Sequence, residues 1–265
     1  MTGSRRRAVG LVILFALGIV FALYTAPQSL WNAGEDALYR INPTATRAYA
    51  YGERHFDANN PSAYDIDRAQ YFFELAATKD VNIPYLYHEL ARVSFLRGNF
   101  HTALAQINFQ ISLQGDTTPN SYYVRALIEG YMGRYDAAAQ DYERFLRSYP
   151  HNWAGINDYA WVLLKAGRAH DAERALAKGL QYFPDNPWLL NSEATALYEL
   201  KKYPDALVAV QRAAINIRNL TEAEWLTAYP GNDPKIAGLG VAAFKKAVED
   251  NMHTVLLAVA SSTIQ

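Results

Sequence analysis

The stretch "LKAGRAHDAERALAKGLQYFPDNP", residues 164–187, places a glycine at 167, an alanine at 172 and a proline at 184. Gly133, Ala138 and Pro150 repeat the same intervals, five and then twelve residues. Using the small residue as a ruler gives Ala69, Ala103, Ala138, Ala172, Ala206 and Gly240, spaced by 34, 35, 34, 34 and 34 residues. A fixed period of this length marks a repeat architecture.

Four residues after each mark stands a bulky residue: Phe73, Ile107, Tyr142, Leu176, Val210 and Phe244. The positions seven and eight beyond the mark continue an apolar stripe, which only Gln110 and Gly179 weaken. Intervals of four, seven and eight describe one face of a helix. In four central units a second alanine precedes the mark by twelve residues, at Ala91, Ala126, Ala160 and Ala194. Between the two alanines lie Gly98, Gly133 and Gly167, where the chain must reverse and glycine tolerates a left-handed backbone. Lys201 replaces glycine in the last of these units. Pro150 and Pro184 stop the second helix. Each unit is therefore a helical hairpin in which small residues let antiparallel helices approach and large ones fill the grooves.

These features resemble the tetratricopeptide repeat. The unit from Pro119 supplies Ala126, Gly133, Tyr135, Ala138, Tyr142 and Pro150, with Phe145 where the pattern has alanine; the unit from Trp153 supplies Ala160, Gly167, Ala172, Leu176 and Pro184. The units from Pro84 and Pro187 keep both alanines and the aromatics Phe100 and Tyr203. The resemblance implies an all-α, right-handed superhelical solenoid of antiparallel helix pairs, with four units over 84–218. A degenerate unit is expected over 44–83, its helices near 44–56 and 65–79 separated by "DANNPSAY", residues 57–64. A degenerate cap is expected over 219–265, interrupted by a loop at 229–240, with a second helix at 236–248 and a terminal helix near 252–264 packed on the last unit.

The N-terminus has a different character. Arg5, Arg6 and Arg7 precede the residues 8–24, which contain no charge. That run is long enough for a short transmembrane helix and longer than a usual secretory signal core, and no small-residue cleavage pattern follows it. The next basic residue is Arg40, so the positive-inside rule holds residues 1–7 in the cytoplasm. The expectation is a single-pass signal-anchor in the inner (plasma) membrane, a linker over 25–43 and an extracytoplasmic repeat domain.

Composition narrows the function. Charged residues are 19% of the chain and balance to a net charge of −1, which points away from nucleic acid as a partner. No cysteine is present, which removes disulfides, thiolate catalysis and sulfur-ligated metals. The six histidines stand singly, without metal-ligand spacing, and Gly238 with Gly240 forms no phosphate-binding loop. No metal, cofactor or catalytic residue is expected.

In the resembled family the first helix of each unit lines a concave groove. That implies partner-binding positions at Tyr85, His88, Arg92 and Phe95, then Tyr123 and Leu127, then Asn157, Trp161 and Leu164, and finally Trp188, Asn191 and Tyr198. Asn157 and Asn191 stand one repeat apart and either grip a peptide backbone or bond neighbouring helix termini. Arg92 alone cannot clamp a C-terminal carboxylate as the chaperone-binding members do. The reading is a membrane-anchored scaffold or adaptor that binds a peptide or protein partner in the cell envelope and is not an enzyme. The alternative is an envelope enzyme or glycan-handling accessory whose active surface lies in the loops 57–64 and 229–240.

Overall fold

The computed structural model describes residues 27–262. The stretch 8–24, expected to be a membrane anchor, lies outside the described residues; within them no helix is long and apolar enough to cross a membrane.

Among the described residues the chain is all-α. The degenerate first unit comprises α2 (Ala45–His55) and α3 (Ile66–Ala77). Four hairpins follow: α4 (Leu86–Leu96) with α5 (Phe100–Gln114), α6 (Asn120–Tyr131) with α7 (Tyr135–Ser148), α8 (Trp153–Lys165) with α9 (Ala169–Tyr182), and α10 (Pro187–Glu199) with α11 (Tyr203–Asn216). The chain ends in α12 (Glu222–Ala228) and α13 (Ala237–Ser262). Each helix from α2 to α11 packs on its successor or, for α11, on α13, and first helices also touch first helices: α4 on α6, α6 on α8, α8 on α10. A stack of hairpins results.

The turn chemistry follows the sequence. Gly98, Gly133 and Gly167 take φ of 75°, 77° and 73°, and Lys201, at the equivalent place, takes φ of 60°. The paired alanines Ala91 and Ala103, Ala126 and Ala138, Ala160 and Ala172, Ala194 and Ala206 are all fully buried. Beside them Phe73, Ile107, Tyr142, Leu176 and Val210 are also fully buried. Removing a side chain of this size from water stabilises by roughly 1.5–3 kcal/mol each. Asn152 and Asn186 cap α8 and α10 by accepting the amides of Gly155 at 2.7 Å and Leu189 at 3.1 Å.

Gln110, which interrupts the apolar stripe, has a structural task. It is fully buried, and its Oε1 accepts the backbone amides of Tyr87 at 3.1 Å and His88 at 3.3 Å. Helix α4 starts from Tyr85 at φ of 64°, without a side-chain cap of its own, so Gln110 of the partner helix satisfies its first amides.

Two stretches differ from expectation. Residues Gln28–Ile41, within the expected linker, form a helix, α1. Its Glu35 is buried and meets His55 at 2.7 Å, Asp36 meets Arg68 at 2.8 Å, and the buried Tyr39 ring packs edge-on to Phe72 at 6.1 Å, so polar contacts and one aromatic ring dock it on the first unit. At the other end, the expected second helix and terminal helix are one: α13 runs unbroken over 26 residues. No glycine or proline lies between Gly240 and Ser262 to stop it. It packs on both helices of the last full hairpin, α10 and α11, and so covers the end of the stack.

Candidate functional site

Because the first helices lie side by side, their inner faces build one wall of a cavity of about 1010 Å³. On α8 the lining residues are Ala154, Asn157, Asp158 and Trp161, a spacing of three, four and seven that defines a single helical stripe. The stripe recurs on α6 with Asn120, Tyr123, Val124 and Leu127, and from the start of α4 with Tyr85, His88, Glu89 and Arg92. Of the twelve expected positions, Tyr85, His88, Arg92, Phe95, Tyr123, Leu127, Asn157, Trp161, Trp188 and Asn191 all line this cavity. Leu164 and Tyr198 do not. Leu164 packs against the core between α8 and its neighbours, and the Tyr198 ring meets Tyr203 of its own hairpin at 5.6 Å.

The opposite wall comes from the C-terminal cap. Helix α12 leans on α13 where Gly240 leaves room for the Trp225 indole; a Cβ there would fall 2.1 Å from its Cε2. The chain then crosses the mouth of the groove as a strap, residues 229–232. The Trp188 indole N–H donates to the Tyr229 hydroxyl at 3.1 Å. Farther along, the Arg92 guanidinium donates to the Pro230 carbonyl at 3.0 Å and stacks over Phe56, 4.8 Å from the ring centroid. The Tyr64 hydroxyl donates to the Gly231 carbonyl at 2.7 Å. Gly231 has φ of 91°, a left-handed conformation that favours glycine, and a Cβ there would lie 2.7 Å from Arg92 Nη2 and displace the guanidinium. Tyr64 belongs to the loop 57–64, so this loop and the loop 229–240 meet across the groove.

Charge inside the cavity is sparse. Arg92 bonds Glu89 at 2.7 Å, a neutralising pair, while burial pushes the Glu89 carboxyl above its usual range. Burial, helped by the Arg92 charge, lowers the His88 pKa to about 3. His88 is therefore neutral at pH 7, and its approach to Glu89 at 3.9 Å is not an ion pair there. Its Nδ1 meets the Ser121 hydroxyl at 3.3 Å instead. Asp158 accepts the Tyr123 hydroxyl on Oδ2 at 2.5 Å and the Asn157 amide on Oδ1 at 3.1 Å. Desolvation raises the Asp158 pKa, and those two hydrogen bonds oppose the rise without cancelling it.

Both asparagines bond side chains of neighbouring elements. Asn157 Oδ1 accepts the Ser192 hydroxyl of α10 at 2.8 Å, and Asn191 Oδ1 accepts the Asn251 amide of α13 at 3.0 Å. Among the described residues the Asn191 amide nitrogen donates to no acceptor, and Asn191 is one of the residues that line the cavity.

Sequence reasoning missed Asp158, Glu89, Tyr131, Tyr229 and Ser192, all of which line the cavity. Asp158, Glu89 and Ser192 each follow an expected position by one residue, and widening the stripe from one residue per turn to two would have found them. Tyr229 had no local signal, because it reaches the groove from the cap. The assembled surface offers aromatic faces, amide groups and two carboxylates, Glu89 paired with Arg92 and Asp158 without an ion-pair partner among the described residues. Among the described residues no group of His, Asp and Glu is arranged to hold a metal ion.

A tetratricopeptide-repeat family model matches residues 131–185 and 163–229, which supports repeats of this type in that part of the chain. No curated protein matches the chain. Among solved structures, one described as a crystal structure of MamA aligns with 57% of this chain and 88% of its own, at 16% identity and a TM-score of 0.53. A second MamA structure aligns with 67% and 96%, at 15% identity and a TM-score of 0.56. YrrB, described as a tetratricopeptide-repeat protein with an unusual peptide-binding site, aligns with 69% and 91%, at 12% identity and a TM-score of 0.56. At these identities the likeness is one of fold, a helical solenoid.

Proposed function

We propose that this protein is a membrane-anchored scaffold or adaptor whose concave groove binds a peptide or protein partner and organises a cell-envelope assembly. The observation that carries the reading is one cavity in which four first helices bring together ten of the twelve expected residues, aromatic and amide-rich, with an Asn191 amide that donates to no acceptor among the described residues. Aromatic rings supply rigid contact area and an amide both donates and accepts, the chemistry that holds an extended backbone. The peptide-binding site described for YrrB is consistent with this use of the fold.

The anchor rests on the sequence. Three arginines precede an uncharged stretch at 8–24, and no Lys or Arg follows before Arg40. This orientation leaves the repeats outside the cytoplasm. The enzyme or glycan-handling alternative gains no observation, since the loops assigned to it bond one another and Arg92.

Two experiments test the reading on the full chain in its own membrane. A photocrosslinking benzoylphenylalanine at Leu127, in the groove, is expected to capture a discrete partner that the same group at Val208 does not. Val208 is 57% exposed on α11 and lines no part of the cavity. Equal capture at both positions refutes the groove. Because the chain has no cysteine, a single Lys178→Cys variant reports topology cleanly. Labelling by an impermeant maleimide in intact cells supports the extracytoplasmic placement, and labelling only after lysis refutes it.

A further inference from the structure

We infer that the groove selects a partner segment carrying an arginine, whose guanidinium pairs with Asp158 between the aromatic walls. The inference rests on the reading of the groove as a partner site and adds the chemistry of the ligand.

Three observations lead to it. First, the charges lining the cavity do not cancel. Glu89 is matched by Arg92 and His88 is neutral, whereas among the described residues no Lys, Arg or His forms an ion pair with Asp158. A carboxylate held in a partly desolvated site without a counter-charge is costly, and a cation brought by a ligand relieves the cost. Charge complementarity therefore names the sign of the ligand.

Second, the remaining acceptor capacity of Asp158 has the shape of a guanidinium. An ionised carboxylate offers about four acceptor positions. Tyr123 occupies one on Oδ2 and Asn157 one on Oδ1, which leaves one on each oxygen. A planar fork donates to both oxygens at once, whereas an ammonium is a point charge without that match.

Third, the walls beside the carboxylate are aromatic. The Tyr131 and Trp161 rings lie 5.4 Å apart, and the Trp188 indole is hydrogen-bonded to Tyr229. Tyr131, Trp161 and Tyr229 line the same cavity as Asp158, and burial raises the phenol pKa of Tyr131 and Tyr229 with a smaller contribution from the Asp158 charge. Ring faces attract guanidinium and stack with it. A volume of about 1010 Å³ accommodates flanking residues of the segment as well.

The test uses the full chain in nanodiscs and calorimetric titration. The probes are acetyl-Ala-Arg-Ala-amide, its lysine and glutamine counterparts, and n-butylguanidinium with neutral n-butylurea as its control. The expected result is that the arginine peptide binds at least tenfold tighter than the glutamine peptide, with lysine between them. Asp158→Asn removes that preference while the circular dichroism spectrum and melting cooperativity stay unchanged. Tyr123→Phe, which leaves the carboxylate in place, keeps the preference. Equal binding of the arginine and glutamine peptides, or a preference that survives in Asp158→Asn, overturns the inference. Should peptides fail to bind, n-butylguanidinium decides the cation site alone: binding that depends on Asp158 upholds it, and binding no tighter than n-butylurea overturns it. The Leu127 crosslink reports separately on the partner groove.

Discussion

The Tyr64 hydroxyl and the Gly231 carbonyl, 167 residues apart in sequence, form a buried hydrogen bond of 2.7 Å that joins the first unit of the stack to its cap. Arg92 reinforces the contact through Pro230, so the strap is held by two donors on successive units. The groove is therefore a walled cavity and not an open channel.

Removing the Tyr64 hydroxyl leaves a buried carbonyl without its donor, at a cost of about 1–3 kcal/mol. Tyr64→Phe is expected to lower the urea midpoint. It should also speed tryptic cleavage after the exposed Lys235, which lies just beyond the strap. A variant whose midpoint falls while cleavage after Lys235 keeps its wild-type rate would show that the strap does not depend on this bond.

Lys201 occupies the turn position that three other hairpins give to glycine, at φ of 60°. A left-handed conformation strains a residue with a Cβ, while glycine gives up backbone entropy in exchange. Lys201→Gly is expected to stabilise the fold by about 1 kcal/mol, read as a rise in Tm. The reciprocal Gly167→Ala should lower it by a similar amount.

His88 makes stability depend on acid. Its pKa is about 3 in the fold against 6.5 for an ordinary histidine, so the unfolded chain binds the proton first. The stabilising contribution is complete above pH 6.5 and is lost as the pH falls toward 3. Between pH 7.5 and 5 the native chain should lose on the order of 1–2 kcal/mol that His88→Asn does not lose. Urea midpoints of the two proteins at both pH values give the comparison, and parallel curves would contradict it.

Asp158 carries the opposite sign. Its folded pKa is raised, so the protonated form is favoured in the fold and the ionised form is a burden at neutral pH. Stability from this site is present below the ordinary carboxyl pKa and lost as pH rises through the raised one. Asp158→Asn is expected to raise stability at pH 7 by about 0.5–2 kcal/mol, an advantage that shrinks as the pH is lowered toward the carboxyl range. A variant less stable than the native chain at pH 7 would contradict the assigned burden.

Local features were legible. The alanine pairs, the turn glycines and the apolar stripe obey short intervals along the chain, and a helical hairpin is determined by contacts within about one repeat. The groove stripe was legible for the same reason, since residues three and four apart share a helix face. Leu164 and Tyr198 fell outside it because the cavity lies toward the N-terminal ends of α8 and α10, where the strap crosses. What escaped was long-range. Tyr229 and Gly231 look like an irregular insertion, and only the course of the whole stack brings them to Trp188 and Tyr64. Helix α1 escaped because it docks through the isolated Tyr39 and the polar Glu35 and Asp36, which leave no apolar stripe along it.

The contact between Tyr64 and Gly231 also bears on how such a chain can change over generations. Solenoids lengthen or shorten by whole units, since each unit ordinarily touches only its neighbours. Here the first unit and the cap must face each other, and adding or deleting one 34-residue hairpin would carry Gly231 away from Tyr64. The number of repeats is thereby tied to the geometry of closure, because the contact between first unit and cap holds for one length of stack.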